Sequence, residues 1–176
     1  MLESTKYICS TCGQEHEEWP ALAYSSPTHY NDLTDEEKQT IAELKNDFCI
    51  IRYPDQTDRF IRCTLTQKVI DHCEDLQYGL WVSLSEKNFQ DYSDNFNNEN
   101  HVTSYFGWLS NQLPHYDDMS KIPTTVFTRT GNDRPDIVPH KTFDHQFVRD
   151  HYNGITKQDA ERRIKEMLKI IRQLDG

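Results

Sequence analysis

Two cysteines three positions apart, then a glycine and a histidine, give Cys9-Ser10-Thr11-Cys12-Gly13-Gln14-Glu15-His16 the clearest chemical capacity in this 176-residue sequence. Thiolates spaced C-x-x-C reach a single ion from a tight turn, and Gly13 supplies the positive-φ conformation that a turn closing on sulfur needs. The chemistry implied is a Zn2+ site with Cys9, Cys12 and His16 as ligands. A redox dithiol is a second use of C-x-x-C. That motif normally opens a helix after a strand, and fewer than ten residues precede it here. A pair of unliganded cysteines is the third reading.

A four-ligand shell needs one more donor from Cys49, Cys63 or Cys73. Cys63 shares a strand face with Ile61 and Leu65 and reads as a small core hydrophobe. Cys49 opens its strand beside Phe48, at the end nearer the preceding helix, where it can meet the N-terminal turn. Cys49 is therefore the predicted fourth ligand, with a plain buried thiol as its alternative. Cys73 follows His72 in a polar segment, but sequence neighbours rarely face one another. Nothing nearby supplies an oxyanion hole, so no thiol–base catalysis is assigned to the pair.

The elements that must position these residues are readable in outline. Trp19-Pro20 and Ser26-Pro27 mark an extended arm, because each proline excludes helix before it. Thr34-Asp35-Glu36-Glu37 is a capping box opening a peripheral helix whose buried face is Ile41 and Leu44. Residues 48–53 and 59–65 are β-rich runs around a Pro54-Asp55 loop, hence a hairpin. Residues 78–84 form a central strand with Leu80, Val82 and Leu84 on one face and Trp81 on the other. Ser85 caps a helix through Phe89 and Tyr92.

Further on, Tyr105-Phe106-Gly107-Trp108-Leu109 is an aromatic cluster assigned to the core, with Gly107 at a close backbone approach. Strands at 124–130 and 134–138 turn at Gly131-Asn132. A short helix ends at Asn153-Gly154. The last helix, from Thr156, carries Ala160, Ile164, Met167, Ile171 and Leu174 on one face, as core packing or a dimer seam.

Composition limits the function classes. The chain has 29 acidic against 19 basic residues, a net charge of −10 at pH 7. That balance excludes a general nucleic-acid binder, which needs clustered Lys and Arg against phosphate. Ten acids against three bases fall in residues 1–48. Such a surface gives solubility and steers a basic protein partner. No run approaches the ~20 apolar residues needed to cross a bilayer, and Met1 to Thr11 lacks the apolar centre of a signal peptide. Five cysteines, an odd number without disulfide-like spacing, fit the reducing cytoplasm.

Taken together these segments resemble a bacterial family of uncharacterised domains marked by an N-terminal C-x-x-C-G-x-x-H and a G-[VL]-W-V-S-L-S block. The first is carried by Cys9, Cys12, Gly13 and His16, the second by Gly79-Leu80-Trp81-Val82-Ser83-Leu84-Ser85. Asp47-Phe48-Cys49-Ile50-Ile51, Phe60-Ile61-Arg62, Phe106-Gly107-Trp108-Leu109, Arg134-Pro135 and Gly154-Ile155 continue it. His145-Gln146-Phe147-Val148 and the turn at Tyr116 depart from it. The resemblance implies one fold across most of the chain and names no activity.

The expected architecture is a single α+β domain over 1–176, with a mostly antiparallel sheet covered by helices. A zinc-knuckle-like turn and arm occupy 1–30 and the body 31–176. The expected function is a cytoplasmic protein-interaction module with structural zinc and no catalytic residues, its oligomeric state left open. The alternative is a zinc-dependent hydrolase, which needs an open coordination position beside a carboxylate such as Glu15, Glu17 or Glu18.

Overall fold

In the computed structural model, which describes residues 5–174, the longest ladder joins β6 (Thr57–Gln67) to β7 (Leu76–Leu84). It runs antiparallel from Arg59↔Leu84 to Gln67↔Leu76. Period-two alternation sends Ile61, Cys63, Leu65, Tyr78, Leu80 and Val82 into the main core. Phe60 and Trp81 point the other way and are equally buried, in a second cluster with Leu33, Cys49 and Ile51. Both faces of the ladder are thus covered, which explains why these strands read as near-continuous apolar runs.

Each long strand has a second edge. That of β6 pairs with β5 (Phe48–Arg52), which in turn pairs with β4 (Ala42–Leu44). That of β7 takes β3 (Leu22–Ala23) in parallel at Tyr78 and Gly79, so the predicted arm enters the sheet. Further along, β7 takes β8 (Ser104–Leu109), followed by β9 (Pro123–Phe127) and β10 (Asp136–Pro139). From β10 the sheet returns to β6.

The result is a closed, barrel-like mixed sheet, where the sequence led us to expect a mostly antiparallel one. The physical reason is parity. A meander of five strands brings its first and last strands round pointing the same way, so β10 closes on β6 in parallel. One register pair, Asp136↔Thr64, makes that seam, reinforced by the Thr64 amide donating to the Pro135 carbonyl at 2.9 Å and the Thr64 hydroxyl to Asp136 at 2.8 Å.

Helices cover this sheet in a single domain. α1 (Thr28–Asn31) is one turn in the arm, and α2 (Asp35–Thr40) carries the expected capping box between Thr34 and Glu37. It stops sooner than expected. Ile41 ends it and residues 42–44, with Leu44, form β4, because backbone pairing with β5 outweighs a helix that has so little apolar surface.

α3 (Glu86–Asp94) is capped by Ser85 and buries Phe89 and Tyr92. α4 (Gln146–Asn153) buries Phe147 and Val148, and the main core also takes Ala160 and Ile164 of α5 (Lys157–Leu174). Arg163 locks α5 in place, donating to Asp150 of α4 at 3.1 Å and to the Tyr78 hydroxyl at 3.2 Å. The side chains of Ile171 and Leu174, and the domain limits at residues 1–4 and 175–176, lie outside the described residues.

The aromatic cluster on β8 divides. Tyr105 and Leu109 are buried, but Phe106 and Trp108 are 46% and 45% exposed, packed edge to face on the outer surface. The placement of Trp108 in the core is corrected by simple alternation along the strand. Gly107 does mark a close approach, since a Cβ there would sit 3.1 Å from the Ser83 carbonyl.

Trp81 is fully buried, its indole N–H donating to the Tyr24 carbonyl at 2.9 Å and its amide to Asn111 at 2.8 Å. Urea denaturation should therefore find Trp81→Ala destabilised by about 3–5 kcal/mol and Trp108→Ser by under ~1 kcal/mol. Comparable losses at the two positions would contradict the alternation assigned to β8.

Candidate metal centre

The N-terminal residues form a hairpin of their own, β1 (Lys6–Ile8) paired with β2 (Glu15–Glu17) in the register Tyr7↔His16. Its turn carries both cysteines of the C-x-x-C. The Gly13 amide donates to the Cys9 carbonyl at 2.8 Å and the Cys9 amide to the Gln14 carbonyl at 2.9 Å. With Gly13 at φ 71° the chain folds back on itself, and the Thr11 amide points at the Cys9 sulfur, 3.4 Å away. Amides aimed at sulfur favour the thiolate, the form that binds metal.

Sulfur and nitrogen converge here. Cys12 Sγ lies 3.0 Å from His16 Nε2 and 4.0 Å from Cys73 Sγ. Ligand atoms of Cys9, Cys12, His16 and Cys73 all fall within 4.8 Å of one another. A tetrahedral shell with Zn–S bonds near 2.3 Å sets its sulfurs about 3.8 Å apart, so this donor set fits such an ion with small side-chain adjustments.

The predicted Cys9, Cys12 and His16 are brought together, but the fourth member is Cys73, not Cys49. Cys49 is completely buried in the cluster with Trp81, and burial pushes its thiol up to about 12, so it stays protonated and unreactive. The His29 ring packs on Phe60. Cys63 is the core hydrophobe expected of it.

The sequence favours Cys49 over Cys73 because the adjacent His72 and Cys73 suggest a thiol–base pair and not a metal donor. The usable signal was its context. A cysteine among Asp71, His72, Glu74 and Asp75 has no apolar face to join, unlike Cys49 and Cys63 in their strands.

Cys73 sits in the loop between β6 and β7, and that loop is tied down from several sides. The Val69 amide donates to Asp75 at 3.0 Å, and the Ile70 amide and Ile155 carbonyl bond at 2.9 Å. Asp71 accepts from the Lys157 amide at 2.5 Å and so caps α5 from outside. Across the junction, Tyr7 donates to Glu74 at 2.8 Å, while His72 packs between the Trp19 ring at 4.4 Å and the edge of His16 at 4.8 Å. Burial lowers the His72 pKa, disfavouring a charge on the ring between its neighbours.

Proton sharing reflects the same closeness. The neighbouring Cys73 thiol and the Cys12 and Thr11 amides draw the Cys9 pKa down to about 6. Cys73, which keeps the proton, is pushed up to about 11. A bound cation would displace that proton and hold all three sulfurs as thiolates.

Three comparisons bear on identity. A family model described as an uncharacterized protein conserved in bacteria (DUF2199) matches residues 8–155, a span that takes in all four donors. No curated protein and no solved structure matches the chain.

Elemental analysis of purified variants should find zinc lost from Cys73→Ala as fully as from Cys9→Ala. Cys49→Ala should keep its zinc and cost the ~1–3 kcal/mol of a small core change. Zinc retained in Cys73→Ala and lost in Cys49→Ala would reinstate the sequence-based assignment.

Proposed function

This chain belongs to the bacterial DUF2199 family, and we propose that it is a cytoplasmic protein-interaction module whose N-terminal hairpin is stapled to the barrel by one structural Zn2+. One observation carries this reading. The donors come from segments 61 residues apart, three on a small surface hairpin and one on a loop anchored to the body.

A three-residue-stranded hairpin has almost no core of its own and is marginal in water. Outside the cysteine cluster, Tyr7–Glu74 and the Trp19–His72 contact join this one to the loop. Metal–ligand bonds supply folding free energy directly, so zinc is suited to fixing such an element. The donor types favour zinc over harder cations, which prefer oxygen.

Four protein donors fill a tetrahedral shell. A hydrolase needs a coordination position for water and a free carboxylate beside it. Here Glu15 is engaged by Lys6 at 3.7 Å and Glu74 by Tyr7, whereas Glu17 and Glu18 are unpaired among the described residues, so the filled four-donor shell is what weighs for the structural role. All five cysteines are free thiols, in keeping with a reducing compartment. Among the described residues no helix is long and apolar enough to cross a membrane.

Removing zinc with a chelator should raise amide hydrogen exchange in residues 5–18 while the loop at 68–75 and the β6–β7 ladder stay protected. Unchanged exchange in the hairpin would refute the staple. Collapse of the whole barrel would mean that the metal supports the core and not only the hairpin.

A further inference from the structure

The stapled hairpin and α5 face each other across a cleft of about 800 Å3. Its apolar lining comes from Trp19, Pro20, Ile164 and Leu168. Its polar lining is unbalanced, with Glu15, Glu17, Glu18 and Glu161 against Lys157 and Lys165. Two of these acids are already answered, Glu15 by Lys6 and Glu161 by Lys157. Among the described residues, Glu17 and Glu18 have no salt-bridge partner and are exposed. A zinc ion held by three thiolates and a neutral imidazole adds a further net negative charge at the hairpin end.

We infer that this cleft is the docking site for a segment of a partner protein that carries basic side chains around an apolar one. The inference rests on the zinc-staple reading, because His16 holds the strand from which Glu17, Glu18 and Trp19 follow. The chemistry is complementary in both parts. Lys or Arg answers the open carboxylates, and an apolar side chain covers the Trp19 and Leu168 surfaces, which are only partly buried. A half-buried tryptophan at the wall of an apolar cleft is the kind of anchor on which binding energy concentrates. Surface acids alone would steer such a partner without seating it, and the cleft supplies the seat.

The acidic first turn of α2 provides an internal control, since Asp35 and Glu36 are exposed and lie outside the cleft lining. The probe is a fluorescein-labelled peptide Lys-Arg-Leu-Arg-Lys, with Glu-Asp-Leu-Asp-Glu as its opposite, titrated with zinc-loaded protein at physiological salt and read by anisotropy. Saturable binding of the basic peptide is expected. Glu17→Lys/Glu18→Lys should weaken it about tenfold or more, and Asp35→Lys/Glu36→Lys, the same charge change elsewhere, by less than about twofold.

Equal weakening by the two double variants would reduce the effect to diffuse charge and overturn the inference. So would the absence of saturable binding, or equal binding of the acidic peptide. Zinc content measured on the same samples separates the two readings. Full zinc without peptide binding removes the cleft and leaves the staple, whereas binding by zinc-free protein keeps the cleft and removes the staple.

Discussion

The antiparallel pairing of β6 with β7 is the interaction on which the rest of the molecule hangs. Its 11- and 9-residue strands are the longest in the protein, and each uses both edges and both faces. One face builds the barrel core and the other the smaller cluster around Trp81. The connection between the two strands carries Cys73, so the ladder also fixes the body's contribution to the candidate metal centre. Shortening the ladder or slipping its register by one residue would exchange the two cores and displace that loop.

From that base the candidate metal centre is economical. Residues 68–75 are held by Ile155, by Asp71 capping α5 and by Asp75 on the Val69 amide, so one donor stands ready on a rigid loop. The hairpin brings the other three on a turn that its own amides shape. Zinc would join a rigid part to a marginal one. Because α5 begins at the same loop, the hairpin, the loop and the last helix meet at one place, and the acidic cleft lies between the first and the last of them.

Much of this was legible in the sequence because the signals were local. The capping box at Thr34, the hairpin around Pro54-Asp55, Ser85 as a helix cap and Gly154 as a helix stop each depend on a few neighbouring residues, and each is found. Cys9, Cys12 and His16 are likewise set by one turn. What was not legible depended on distant contacts. Nothing near Cys73 says that its loop meets the hairpin, and nothing in residues 41–44 says that β5 will claim them as a strand. Barrel closure is of the same kind, since a single register pair between β10 and β6 leaves almost no pattern in either segment. Phe106 and Trp108 illustrate a different limit. Aromatic content pointed to the core, while position along the strand decided which rings enter it.

X-ray absorption at the zinc K-edge of the protein as purified tests the four-donor shell most directly. One zinc per chain, with three sulfurs at about 2.3 Å and one nitrogen at about 2.0 Å, is the result that Cys9, Cys12, Cys73 and His16 require. A shell with two sulfurs or fewer, with a water oxygen among the ligands, or no zinc at all would contradict a closed structural site.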